Sequence, residues 1–144
     1  MDVLKAIIES WGWTGVLPVE FVGDNDFGNI IFKDHKGCYW RICPEELSCD
    51  MVAENKEGFK DLAKDDEFVE DWYMKVLVDK AKDKFGPLEQ GRKYCLAVPG
   101  ALGGAYDLDN IKTISFEELI SFSSELAGKI KDLPEGSQIK INWV

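Results

Sequence analysis

The chain holds a single histidine, His35, among its 144 residues. Histidine titrates near neutral pH, and most catalytic triads and metal sites recruit it. His35 falls in Asp34-His35-Lys36-Gly37, which reads as an exposed turn between two strand-like runs. Positive charge is also scarce. Lys and Arg number 17 against 27 Asp and Glu, a formal charge of −10. Such a surface repels nucleic acid and anionic membranes and attracts basic proteins. No window approaches the roughly 18 apolar residues that cross a bilayer. The start, Met1-Asp2-Val3-Leu4-Lys5, is acidic where a signal peptide is basic, and its apolar run breaks at Glu9. These absences predict a cytoplasmic binding protein with no nucleic-acid or membrane partner.

Metal and nucleotide signatures are missing as well. The four cysteines at 38, 43, 49 and 95 form no C-x2-C pair, and His35 is a poor fourth ligand for zinc. Reduced thiols packed as small hydrophobes are expected. Gly86-Pro87-Leu88-Glu89-Gln90-Gly91-Arg92-Lys93 imitates a P-loop. It has arginine at the phosphate-lysine position, and it follows a helix and precedes a strand, the reverse of a phosphate cradle. Asp24-Asn25-Asp26-Phe27-Gly28-Asn29 hints at a calcium loop, but its glycine comes fifth and His35 stands where glutamate should be. Gly100 to Gly104 lacks the dinucleotide order and a following helix. No serine lies in a G-x-S-x-G elbow. The expectation is no cofactor, no metal and no catalytic residue. A carboxylate-pair enzyme needs only Asp and Glu, and sequence proximity cannot test it.

What is present suffices for a core. Apolar residues make up 45% of the chain and aromatics 12%, and one domain over 1–144 is expected. Asp2 can cap a helix to about Ser10. Val16 to Val22, Asn29 to Lys33, Cys38 to Cys43 and Ser48 to Ala53 read as four strands of an antiparallel meander. Asn55 can cap a short helix. Asp65 or Asp66 can cap a longer one to Phe85, with Phe68, Val69, Trp72 and Val76 on one face. Lys93 to Val98 reads as a strand. Ser115-Phe116-Glu117-Glu118 is a capping box opening a helix that turns Phe116, Leu119, Ile120, Phe122, Leu126 and Ile130 inward. Leu133 to Gly136 reads as a turn, and Ile139 and Ile141 alternate in a final strand. The class is α+β, an antiparallel sheet built from the meander plus C-terminal strands, with helices packed on one face.

Asp65 to Asp71 carries five acids and no base. It is either a solvated helix face or a docking patch for a cationic partner. The candidate contacts are Asp66, Glu67, Glu70 and Asp71, with Asp24, Asp26 and Phe27 in one loop and Gly103, Gly104 and Tyr106 in another. The glycine-rich segment 99–107 is either a wide connection or the rim of a pocket. The pocket reading would make the chain a small-molecule or peptide-binding regulatory domain.

Phe27-Gly28-Asn29, Tyr39-Trp40-Arg41-Ile42-Cys43-Pro44-Glu45-Glu46-Leu47-Ser48, Glu70-Asp71-Trp72, Leu102-Gly103-Gly104-Ala105-Tyr106 and Ile114-Ser115 resemble the immunity-protein domain of type VI secretion systems. That domain forms the C-terminal half of immunity proteins to DNase effectors. The resemblance runs from about Trp11 to Val144. It implies a cytosolic protein that occludes or deforms a toxic nuclease domain, without catalysis of its own. It also implies a further N-terminal domain, for which this chain has only the residues before Trp11. The oligomeric state is not read from the sequence.

Overall fold

The computed structural model describes residues 1–133. Helix α1, Val3–Trp11, starts where the Asp2 side chain accepts from the Lys5 N–H at 3.1 Å. It buries Ile7 and Trp11. Strands β1 (Pro18–Asp24), β2 (Ile30–Asp34), β3 (Tyr39–Cys43) and β4 (Ser48–Ala53) follow as an antiparallel sheet in sequence order. Phe21 pairs with Phe32, Phe32 with Trp40, and Ile42 with Cys49. The β1–β2 turn needs glycine at 28. Its φ is +73°, and a Cβ there would collide with the Leu119 side chain. His35 is exposed in the β2–β3 turn, as the sequence predicts.

Alternation along β2 sends its side chains two ways. Ile30 and Phe32, with Ile42 of β3, face α1 and the last helix, α5 (Phe116–Ile130). Ile31, with Tyr39 of β3, faces the other side, where Phe59, Phe68 and Trp72 pack. The α+β class holds. Helices α1 and α5 cover one face of the meander, and α2 (Lys56–Ala63) and α3 (Asp66–Tyr73) take the opposite face. Asn55 and Asp65 cap α2 and α3 by accepting from Gly58 N–H at 2.8 Å and Phe68 N–H at 3.1 Å.

The long helix expected up to Phe85 is two helices. The chain breaks at Met74, in the left-handed region at φ 48° and ψ 41°, and α4 resumes over Lys75–Phe85. The two halves serve different cores. Phe68 and Trp72 pack beside Ile31 and Tyr39, whereas Leu77, Val78 and Ala81 pack against Tyr94, Leu96 and Ile111. A straight helix cannot reach both. Val76, expected on the buried face, is consequently 71% exposed.

Strands β5 (Arg92–Leu96) and β6 (Ile111–Ser115) form a separate antiparallel pair and do not extend the meander. They join it through Tyr94 N–H to Asp26 C=O and Lys93 Nζ to Asn25 C=O, both 2.9 Å. Ser115 caps α5, accepting from Glu118 N–H at 3.1 Å. In α5, Ser123 takes a buried position and Phe122 is half-buried. The Ser123 hydroxyl donates back to Leu119 C=O at 2.7 Å, which satisfies it without a tertiary partner. The expected strand at Ile139 and Ile141, and most of the turn before it, lie outside the described residues. Among the described residues no helix is long and apolar enough to cross a membrane.

Candidate functional site

The β3–β4 surface carries an unusual cation. Arg41 projects from β3 toward α3, opposite Asp50 of β4. Its Nε donates to Asn29 Oδ1 at 3.0 Å and its terminal nitrogen pairs with Asp71 Oδ2 at 2.6 Å. The guanidinium lies 5.2 Å from the Trp72 ring centre and 5.9 Å from that of Phe68. One side chain thereby pins α3 by charge and by two aromatic faces.

Behind Arg41, the 3-10 turn Pro44–Glu46 turns Glu45 inward, where it is 3% exposed. Asn29 Nδ2 and the Cys43 thiol each donate to its carboxylate at 2.6 Å. Burial raises the Glu45 pKa above the ordinary carboxylate range, against the pull of Cys43, Asn29 and Arg41. Burial, reinforced by the Glu45 charge, also holds the Cys43 thiol protonated, so it serves as a donor and not as a nucleophile. With both oxygens engaged, Glu45 ties its turn to the β1–β2 turn and to β3.

In front of this network lies a cleft of about 380 Å³, lined among others by Arg41, Glu45, Glu46, Asp50, Asp71 and Tyr106. Four carboxylates and one guanidinium thus line it. The Tyr106 hydroxyl bonds the Glu46 carboxylate. Burial and that carboxylate raise its pKa, so it stays a neutral donor.

The 99–107 segment closes on itself. Asn110 Nδ2 donates to the carbonyls of Val98 and Ala105, both at 2.9 Å, and its Oδ1 accepts from Val98 N–H at 3.0 Å. A Cβ on Gly104 would strike the Val98 carbonyl, and one on Gly100 would lie 2.7 Å from the Tyr106 ring. The glycines therefore permit close approach of backbone and ring. Pro99 borders a void of about 10 Å³, room for about one water.

The expected contact residues separate under this geometry. Asp66, Glu67 and Glu70 are exposed along α3, and Asp71 and Tyr106 both line the cleft. Asp24 pairs with Lys93 at 3.4 Å, and Asp26 is half-buried. Phe27 is a correction. It is 1% exposed, its ring 5.7 Å from that of Tyr94, so it belongs to the second core and not to a contact surface. Gly103 is exposed at φ +91°, and Gly104 is occupied by its approach to Val98. Arg41, Glu45, Glu46 and Asp50 join the cleft without being among the expected contact residues. Arg41, Glu45 and Glu46 fall in a resemblance block and Asp50 in none; their convergence with α3 depends on tertiary packing.

A family model described as T6SS immunity protein Tdi1, C-terminal, matches residues 53–127. The chain belongs to this family. The match contains α2 to α4, the acidic run, the glycine-rich loop and most of α5. The Trp40 block lies outside it. The cleft therefore joins family residues, Asp71 and Tyr106, to residues from the preceding meander. No curated protein matches the chain.

Proposed function

We propose that this protein is a non-catalytic immunity protein. It binds a cognate nuclease effector in the cytoplasm and covers the basic surface with which that effector would grip DNA. Family membership supports immunity in general. The observation carrying the finer reading is the concentration of acids on the side of α3 and the cleft, where Asp66, Glu67 and Glu70 are solvent-exposed. Asp71 of the same helix lines the cleft together with Glu46 and Asp50. Opposite charge on an effector would speed encounter and fix its orientation. The protein would act by stoichiometric occlusion, with no cofactor or metal.

Co-expression with the toxin domain of the neighbouring reading frame tests this. Wild-type protein should restore growth and copurify with the toxin. Asp66→Lys, Glu67→Lys and Glu70→Lys together should lose protection without loss of fold. Asp71 is left out of that set because its reversal would also release Arg41. Full protection by the triple variant would remove the charged face from the account. A toxin whose activity damages membrane or cell wall would refute the nuclease assignment.

A further inference from the structure

Two apolar side chains flank the break between α3 and α4 and face solvent. Tyr73 is 64% exposed and Val76 71%. In a continuous helix Val76 would follow Phe68 and Trp72 onto the inner face. The left-handed Met74 redirects it. A non-glycine residue in that conformation costs roughly 1–2 kcal/mol, so the surroundings must hold it there. Asn25, 7% exposed, does so. Its Nδ2 donates to Trp72 C=O at 2.7 Å and approaches Met74 Sδ at 3.9 Å, while its Oδ1 accepts from Phe27 and Asn29 N–H groups. The β1–β2 turn thus grips the kink from inside.

The charge around the kink is ordered. On α3, Asp66, Glu70 and Tyr73 recur at helical spacing on one solvent-facing stripe, with Glu67 beside it. Tyr73 stands at the end of that stripe, and Val76 lies in the first turn of α4. Acids border the patch on the α3 side, and Lys75 stands between its two apolar side chains; exposed apolar groups at the end of a charged stripe suit an interface anchor with a polar rim.

We propose that Tyr73 and Val76 are the apolar anchors by which this chain docks its effector. The partner is a cationic protein surface bearing an apolar recess, and Asp66, Glu67 and Glu70 pair with the bases around that recess. This rests on the immunity reading above and names the surface that performs it. The acids steer approach, and burial of Tyr73 and Val76 slows dissociation.

The test uses the full chain and the catalytically inactivated toxin domain of the neighbouring reading frame, with association and dissociation rates measured separately. Tyr73→Ala and Val76→Ala should each raise the dissociation rate roughly tenfold with little change in association. Tyr73→Phe should bind like wild type. Glu67→Lys with Glu70→Lys should mainly slow association. Thermal melts within a few degrees of wild type would show that the variants fold, as expected for exposed side chains. If wild type binds tightly and the alanine variants bind equally well, the anchor proposal falls while the immunity reading stands. If wild type does not bind the domain, both fall. If Tyr73→Ala instead converts a dimer of the free protein to monomer by light scattering, the patch is a self-interface and the proposal is overturned.

Discussion

At Glu45 and Asp34 the structure sets two buried carboxylates against each other. Burial raises Glu45 above its ordinary value of 4.5. Its contribution to stability is therefore complete below that value and declines as pH rises through the elevated folded value. Glu45→Gln should gain on wild type in urea melts as pH rises from about 4 into the neutral range. Burial also acts upward on Asp34, but hydrogen bonds from Trp40 Nε1 and the N–H groups of Cys38 and Lys36 outweigh it and leave its pKa below 3.8. Asp34 thus contributes above the ordinary value, and the contribution disappears as pH falls through the lowered one. Asp34→Asn should destabilise at neutral pH, with the difference closing in acid. The glycines give a second contrast. Gly104→Ala must displace the Val98 carbonyl and should cost about 2–3 kcal/mol. Gly103→Ala meets open space and should cost only the left-handed strain, about 1 kcal/mol, in the same denaturation assay.

Among the elements, α3 is the least embedded of the helices that carry candidate contacts, since none of its residues is buried. Arg41 and Asn25 hold it. Arg41→Ala should therefore destabilise more than Asp71→Ala, because it also removes the stacking on Phe68 and Trp72. The Arg41–Asp71 coupling in a double-mutant cycle should stay below about 1 kcal/mol, since Asp71 is largely solvated. Asn25→Ala leaves two N–H groups and the Trp72 carbonyl without their partner and should cost about 2–4 kcal/mol. Helix starts were legible because Asp2, Asn55, Asp65 and Ser115 cap through local bonds. The α3–α4 break was not, since its determinant, Asn25, lies 47 positions from Trp72. Strand β6 was hidden because its last residue, Ser115, is also the cap of α5, so the segment reads as the approach to a helix.

For the whole molecule, the proposed capture of a cationic effector would be a long-range electrostatic event, given a charge of −10 with acids on α3 and in the cleft. The association rate should fall at least tenfold from low salt to about 0.5 M, while the dissociation rate changes little. Stopped-flow mixing with the toxin domain at a salt series would measure it. Equal association rates across the series would mean that burial of the kink, not charge, governs encounter.

Local chemistry determined the capped helices, the four-stranded meander, the α+β class and the acidic run, because caps, turns and alternating burial act over a few residues. Only tertiary packing decided that Phe27 is core, that β5 and β6 form their own sheet, and that the helix breaks at Met74. It also decided that Arg41, Glu46, Asp50, Asp71 and Tyr106 share one cleft. Each of these depends on which distant surface a side chain must satisfy, and that competition is resolved only when the two cores close against the meander.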